Sequence, residues 1–259
     1  MPVARLALRL YALRTMPVTR PWLAGLLDWF LPRCCLACGA ASATGAAGLG
    51  LCRGCRDRLQ PPGKGCAVCG RPLAGAELPA GYRCGRCRAG PPALARLHAA
   101  FSYEPPLDAV IRAFKFSRLE YLGRHLAAAA LGRFRSELAG IDAVVAVPLH
   151  WRRRLARGFN QAELLAIPIA EALALPCLRV LARPRATAPQ AGLARAARLA
   201  NPRHAFRVRH PAAIAGRRLL LVDDVVTTGA TLEAAARELL AAGGSRVEAL
   251  VVARTPEPR

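Results

Sequence analysis

Short apolar runs alternate with helix-spaced segments along the C-terminal two thirds of the chain. LHAAFSYE (97–104) reads as a first strand. DAVIRAFKF (108–116) places Val110, Ile111 and Phe114 on one helical face and predicts a helix ending near Lys115. Residues 119–139 predict a second helix. AVVAVP (143–148) predicts a buried strand, 160–174 a helix, and 178–181 a weak strand. LLLV (219–222) and VEALVV (247–252) are further core strands. Between them LEAAARELLAAGG forms a helix that ends at Gly243, a C-cap residue. Strands alternating with helices give an α/β fold, a parallel sheet with helices on both faces. Ligands in such sheets sit at the C-terminal strand edges. The edges after 143–148 and 219–222 can therefore serve one site.

The second of those edges carries chemistry. Residues 219–231 read LLLVDDVVTTGAT: an apolar strand, the acids Asp223 and Asp224, then Thr227, Thr228, Gly229, Ala230 and Thr231 before the helix. A helix N-terminus offers unpaired N–H groups and a positive dipole end, which suit a phosphate. Gly229 lets the backbone approach the ligand, and the threonines add hydroxyls. No lysine stands in the loop, so it is not a nucleoside triphosphate loop. Acids just upstream can accept hydrogen bonds from neighbouring sugar hydroxyls. The order fits a site gripping a sugar phosphate by its phosphate and its diol.

Nine of the ten cysteines lie between Cys34 and Cys87. They form four C-x-x-C pairs: Cys35/Cys38, Cys52/Cys55, Cys66/Cys69 and Cys84/Cys87. Each pair fits a knuckle that offers two thiolates to a tetrahedral ion, so the region has ligands for up to two structural zinc ions. Disulfides would need an oxidising compartment and no signal peptide is visible, and four thiolates also suit iron; the expectation is structural zinc in a cytoplasmic, reduced protein. A closed four-thiolate site leaves no open position for catalysis. Cys34 adjoins Cys35 and either could be the ligand; Cys35 gives the C-x-x-C spacing. Cys177 lies in an apolar run and is expected in the core.

These residues resemble the ComF family, which joins an N-terminal double zinc ribbon to a type I phosphoribosyltransferase-like domain. VPLHWRRRLARGFNQAELLA (147–166), ATAPQAGLARAARLANPRHAF (186–206) and FLPRCCLACG (30–39) carry the resemblance further, to about residues 22–255. It implies that 219–231 binds 5-phosphoribosyl-1-pyrophosphate (PRPP). Asp223 and Asp224 would hold the ribose 2′- and 3′-hydroxyls as the catalytic pair, and Thr227–Thr231 the 5′-phosphate. It implies that Arg152, Arg153, Arg154 and Arg157 form a pyrophosphate loop, and that 183–203 is a flap bringing Gln190, Arg195, Arg198 and Asn201 to the ligand. Magnesium would accompany PRPP. It also implies a role in uptake or use of external DNA, with DNA, single- or double-stranded, and competence-machinery proteins as partners. The alternative is a non-catalytic zinc-ribbon scaffold. One departure stands out: purine-base transferases often carry an acid where Thr227 stands, so no general acid or base for a nucleobase is visible. His150, alone in its loop, reads as a bystander.

Composition adds bounds. The 259 residues hold one α/β domain plus a metal module. The expected division is a basic extension at 1–33, the double ribbon at 34–90 and the α/β domain at 91–259, with 90–92 (Gly-Pro-Pro) as hinge. No run of 18 apolar residues predicts a transmembrane helix; WLAGLLDWFL (22–31) predicts a short amphipathic helix packed on the ribbon. The formal net charge is +22, and only two of 38 basic residues are lysines. Fourteen arginines fall in 152–218 against Glu163 and Glu171. Such a surface attracts polyanions. Aromatics are only 5% of the chain, which argues against strand binding by stacked bases along a groove.

Overall fold

The computed structural model describes residues 34–41, 48–73, 78–151, 155, 157–184 and 205–256. The N-terminal extension, Arg152–Arg154 and the 185–204 segment lie outside them. In the metal region α1 (Arg53–Arg56) and α2 (Gly85–Ala89) are single turns that follow Cys52 and Cys84. Each buries the second cysteine of its knuckle, Cys55 or Cys87.

The α/β part begins with β1 (Arg96–Ser102), followed by α3 (Leu107–Phe116) and α4 (Leu122–Phe134). Next come β2 (Ala143–Ala146), α5 (Gln161–Leu173), β3 (Cys177–Leu178), β4 (Leu181–Ala182) and β5 (Arg207–Val208). The chain closes with β6 (Arg218–Val226), α6 (Ala230–Ala241) and β7 (Arg246–Arg254). The main sheet has the order β1-β7-β6-β2-β3, and every pairing in it is parallel. Side chains alternate across it. Leu220, Val222, Leu250 and Val252 pack with α3, α4 and α5; Leu219, Leu221, Ala249 and Val251 pack with α6. The central strands are apolar on both faces, as burial of both faces requires. Asn160 caps α5 by accepting from the Ala162 N–H at 3.3 Å.

Four sequence expectations change. The 119–139 helix is α4 plus a 3₁₀ turn at Arg135–Leu138. The weak strand at 178–181 is two pieces. Cys177–Leu178 edges the main sheet, and Leu181–Ala182 leaves it to pair antiparallel with β5. Strand β6 does not stop before the acids; its ladder with β7 continues to Val226↔Arg254, so Asp223 and Asp224 sit inside the strand. The 90–92 segment is not a free hinge, because Ala93 and Leu94 donate their N–H groups to the Glu233 carboxylate at 2.9 and 3.4 Å.

The ribbons dock differently. Cys35, Leu49, Leu51 and Cys55 belong to the same buried cluster as Leu107, Leu122 and Leu126. The second ribbon keeps its own small cluster of Cys66, Val68, Cys84 and Cys87. No helix among the described residues is long and apolar enough to cross a membrane.

Candidate functional site

The cysteines converge as two sets of four. Cys35, Cys38, Cys52 and Cys55 form one group, and Cys66, Cys69, Cys84 and Cys87 the other; within each, all Sγ atoms lie within 4.8 Å of one another. Cys34 stays outside, in a backbone bridge to Ala41. A tetrahedron with metal–sulfur bonds of about 2.3 Å has edges of about 3.8 Å. The Cys38–Cys52 and Cys69–Cys84 sulfurs are 3.7 Å apart in their respective sets. Donor type, number and spacing therefore fit zinc. Burial works against the Cys66 thiolate, but N–H groups of Cys84, Cys69 and Val68 outweigh it and bring the thiol down to about 6. Cys35 is likewise lowered to about 6, burial again outweighed, here by N–H groups of Cys38, Cys52 and Ala37. Burial drives Cys55 up to about 12 although Arg58 donates to its sulfur at 3.1 Å.

At the C-terminal end of β6, strand alternation sends the two acids to opposite faces. Asp224 is buried and its Oδ2 lies 2.9 Å from Lys115 Nζ, at the end of α3. Asp223 accepts from the Asp224 N–H at 2.8 Å. It keeps part of its surface open, yet protein atoms crowd its carboxyl. Burial first, then the Asp224 charge, raise it from 3.8 to about 7, against the pull of the Asp224 N–H, Lys115 and Arg183. Lys115 is the site residue that the sequence did not disclose. The available signal was compositional: it is one of only two lysines in an arginine-rich chain.

Past Val226 the loop turns sharply. Gly229 has φ 81°, a left-handed conformation that disfavours any side chain, and it caps α6. Its carbonyl accepts from the Glu233 N–H at 2.9 Å. Thr228 Oγ1 accepts from the Ala230 N–H at 3.4 Å, and Thr227 is exposed. Among the described residues, the N–H groups of Thr228 and Gly229 donate to no protein acceptor. The acids, the loop and the α6 N-terminus thus share one edge.

Of the predicted pyrophosphate loop, Arg157 is described. Its guanidinium lies 5.1 Å over the Phe116 ring, and Nη1 donates to Gln161 Oε1 at 3.1 Å. Phe116 directly follows Lys115, so this arginine stands near the same edge. His150 is buried beside Trp151, with ring centroids 5.5 Å apart. Arg152, Arg153, Gln190, Arg195, Arg198 and Asn201 fall outside the described residues. Cys177 packs against the main core, where burial raises its thiol.

A parallel sheet with an acid–loop–helix edge, carrying two four-cysteine centres, defines a phosphoribosyltransferase-type domain with a double zinc ribbon. Family comparison agrees: residues 26–88 match the double zinc ribbon domain and 162–259 the phosphoribosyl transferase domain. The chain belongs to the ComF family. The DNA utilization protein YhgH of Escherichia coli K12 is 36% identical over 231 residues, covering 87% of this chain and 98% of that protein. Competence protein F of Haemophilus influenzae is 32% identical over 213 residues, covering 79% and 90%. Among solved structures, an adenine phosphoribosyltransferase is 20% identical over 53% of this chain and 72% of its own, with a TM-score of 0.34.

Proposed function

We propose that the chain binds PRPP at the C-terminal edge of β6 and uses that site in the handling of external DNA. The observation that carries this is the joint placement of Asp223, the Thr227–Thr231 loop and the α6 N-terminus on one edge. The two N–H groups of Thr228 and Gly229, without protein acceptors among the described residues, suit the 5′-phosphate. Asp223 Oδ atoms suit the ribose hydroxyls. Asp224, held by Lys115, sets the charge of the edge and offers the second carboxylate. The resemblance supports Arg152, Arg153 and Arg157 for the pyrophosphate, and Gln190, Arg198 and Asn201 for the closing flap.

Two adjacent carboxylates, one of them paired with Lys115, do not make a six-oxygen cage. Magnesium would therefore arrive on the pyrophosphate rather than sit in a protein cage. It would neutralise the leaving group when bound. The relatives' names, DNA utilization protein and competence protein, support the DNA role. The basic surface supports a polyanionic partner.

One observation favours a second reading, in which the domain binds PRPP or a partner without transferring the ribosyl group. Thr227 occupies the position where an acid would serve a nucleobase, and it supplies no proton carrier at neutral pH. Titration calorimetry with PRPP and magnesium tests the main proposal. Wild type should bind, and Asp223→Ala with Asp224→Ala should lose it. A folded, zinc-loaded wild type that fails to bind sinks it. Pyrophosphate release on addition of candidate acceptors then separates a transferase from a binding module.

A further inference from the structure

The second zinc ribbon lies against the loop that the preceding proposal assigns to the phosphate. Arg86, between Cys84 and Cys87, donates from Nη1 to the Thr228 carbonyl at 3.1 Å. Arg254, at the end of β7 and buried, donates from Nη1 to the Thr227 carbonyl at 3.3 Å. The same guanidinium donates from Nη2 to the carbonyl of Cys69, in the second ribbon. The ribbon is itself clamped to the sheet. Leu97 of β1 donates to the Val68 carbonyl at 2.7 Å, and Gly70 comes so close that a Cβ there would stand 3.2 Å from the Leu97 carbonyl. Nothing comparable ties the first ribbon to the loop among the hydrogen bonds of the described residues; that ribbon packs on α3 and α4.

The geometry of the peptide bond gives these contacts a consequence. In a trans peptide the carbonyl of one residue and the N–H of the next point in opposite directions across a rigid plane. The only cis bond among the described residues is Pro105–Pro106. Arg254 draws the Thr227 carbonyl toward the ribbon, so the Thr228 N–H faces away from it. Arg86 draws the Thr228 carbonyl the same way, so the Gly229 N–H also faces away. These are the two loop N–H groups that no protein acceptor takes among the described residues. Two charged donors thus fix, from behind, the direction of the two amides on the anion-binding side. We infer that Arg86 and Arg254 are positioning residues that make the second zinc ribbon the back wall of the phosphate loop, so that the ribbon's fold sets the loop's affinity for a phosphate ester.

This inference rests on the sugar-phosphate reading for its ligand but not for its geometry, and the two can fail separately. The test uses the full zinc-loaded chain with ribose 5-phosphate as probe. Arg86 is exposed, so Arg86→Ala should fold and keep its zinc. Arg53→Ala in the first ribbon, where the side chain is 96% exposed, is the control. Backbone order parameters and calorimetry are measured on each. In Arg86→Ala, order parameters of the Thr228 and Gly229 amides should fall from the rigid range of about 0.85 toward about 0.6. Ribose 5-phosphate should bind about five- to tenfold more weakly, the loss of one charge-assisted hydrogen bond's ordering. Arg86→Lys should recover part of both, and Arg53→Ala should change neither. Amides that stay as ordered in Arg86→Ala as in wild type overturn the inference, as does loosened order with unchanged affinity. Loosened amides in a protein whose wild type takes no ribose 5-phosphate uphold the back wall and defeat the sugar-phosphate reading instead.

Discussion

Lys115 and Asp224 meet at 2.9 Å with little exposure on either side chain, 18% and 12%. Removing one member leaves a carboxylate without its partner at a partly dry edge. Lys115→Met should destabilise the fold by about 1–3 kcal/mol in urea unfolding and weaken PRPP; unchanged stability would show the pair to be solvated. Asp223 behaves in the opposite sense. Its folded pKa of about 7 stands above the ordinary 3.8, so the folded chain holds this proton more tightly than the unfolded one. That contribution to stability is complete below about pH 4 and is lost as the pH rises through about 7. Asp223→Asn should therefore match wild type in melting temperature near pH 4, exceed it near pH 8, and still lose PRPP. A variant no more stable than wild type at pH 8 would contradict the crowding of this carboxyl. The acids and the loop were legible because the motif is contiguous and its chemistry local. Lys115 was not, because it reaches the site from α3, more than a hundred residues upstream.

At the scale of elements, the cysteine knuckles show why spacing is such a good witness. Two C-x-x-C turns can offer four thiolates only if the chain between them folds back, and the sulfur sets assemble in the sequence order that the spacing suggests. What spacing cannot convey is how each ribbon docks. The first shares the main core through Leu49 and Leu51, whereas the second has only Val68 besides its cysteines in its buried cluster. Metal should therefore matter to them unequally. Under reducing conditions a strong chelator should make the segment around 66–87 protease-sensitive first, with loss of structure near Leu51 following as the core loosens. Simultaneous cleavage of both, or protection of both, would argue against this order. The split of 178–181 into β3 and β4 was hidden for a related reason: a two-residue edge strand is set by its neighbours, here Val144 and Val145 on one side and Val208 on the other, not by local pattern. The same holds for the 90–92 turn, whose composition signals a hinge while Glu233 pins the residues that follow.

Across the whole molecule, the sheet edge, the second ribbon and the excess of basic charge form one description. The formal charge of +22 is a property of the chain, and its use is testable by salt. If about six phosphates of a DNA strand or duplex are contacted, log affinity should fall with log salt at a slope of about −4 to −5. A slope near zero would remove DNA backbone contact from the account. The α/β class could be read from alternating strands and helices, because each buried strand needs its apolar run whatever its partners. The contact between ribbon and loop could not, since it joins Cys69 and Arg86 to residues 227, 228 and 254 through backbone carbonyls, which leave no mark on side-chain pattern. The most direct measurement is a crystal structure of the zinc-loaded chain with PRPP and magnesium. The 5′-phosphate should lie on the amides of Thr228 and Gly229 and the ribose hydroxyls on Asp223 and Asp224, with the Arg86 and Arg254 contacts intact behind the loop. PRPP bound elsewhere, or a loop left empty at saturating ligand, would contradict the account.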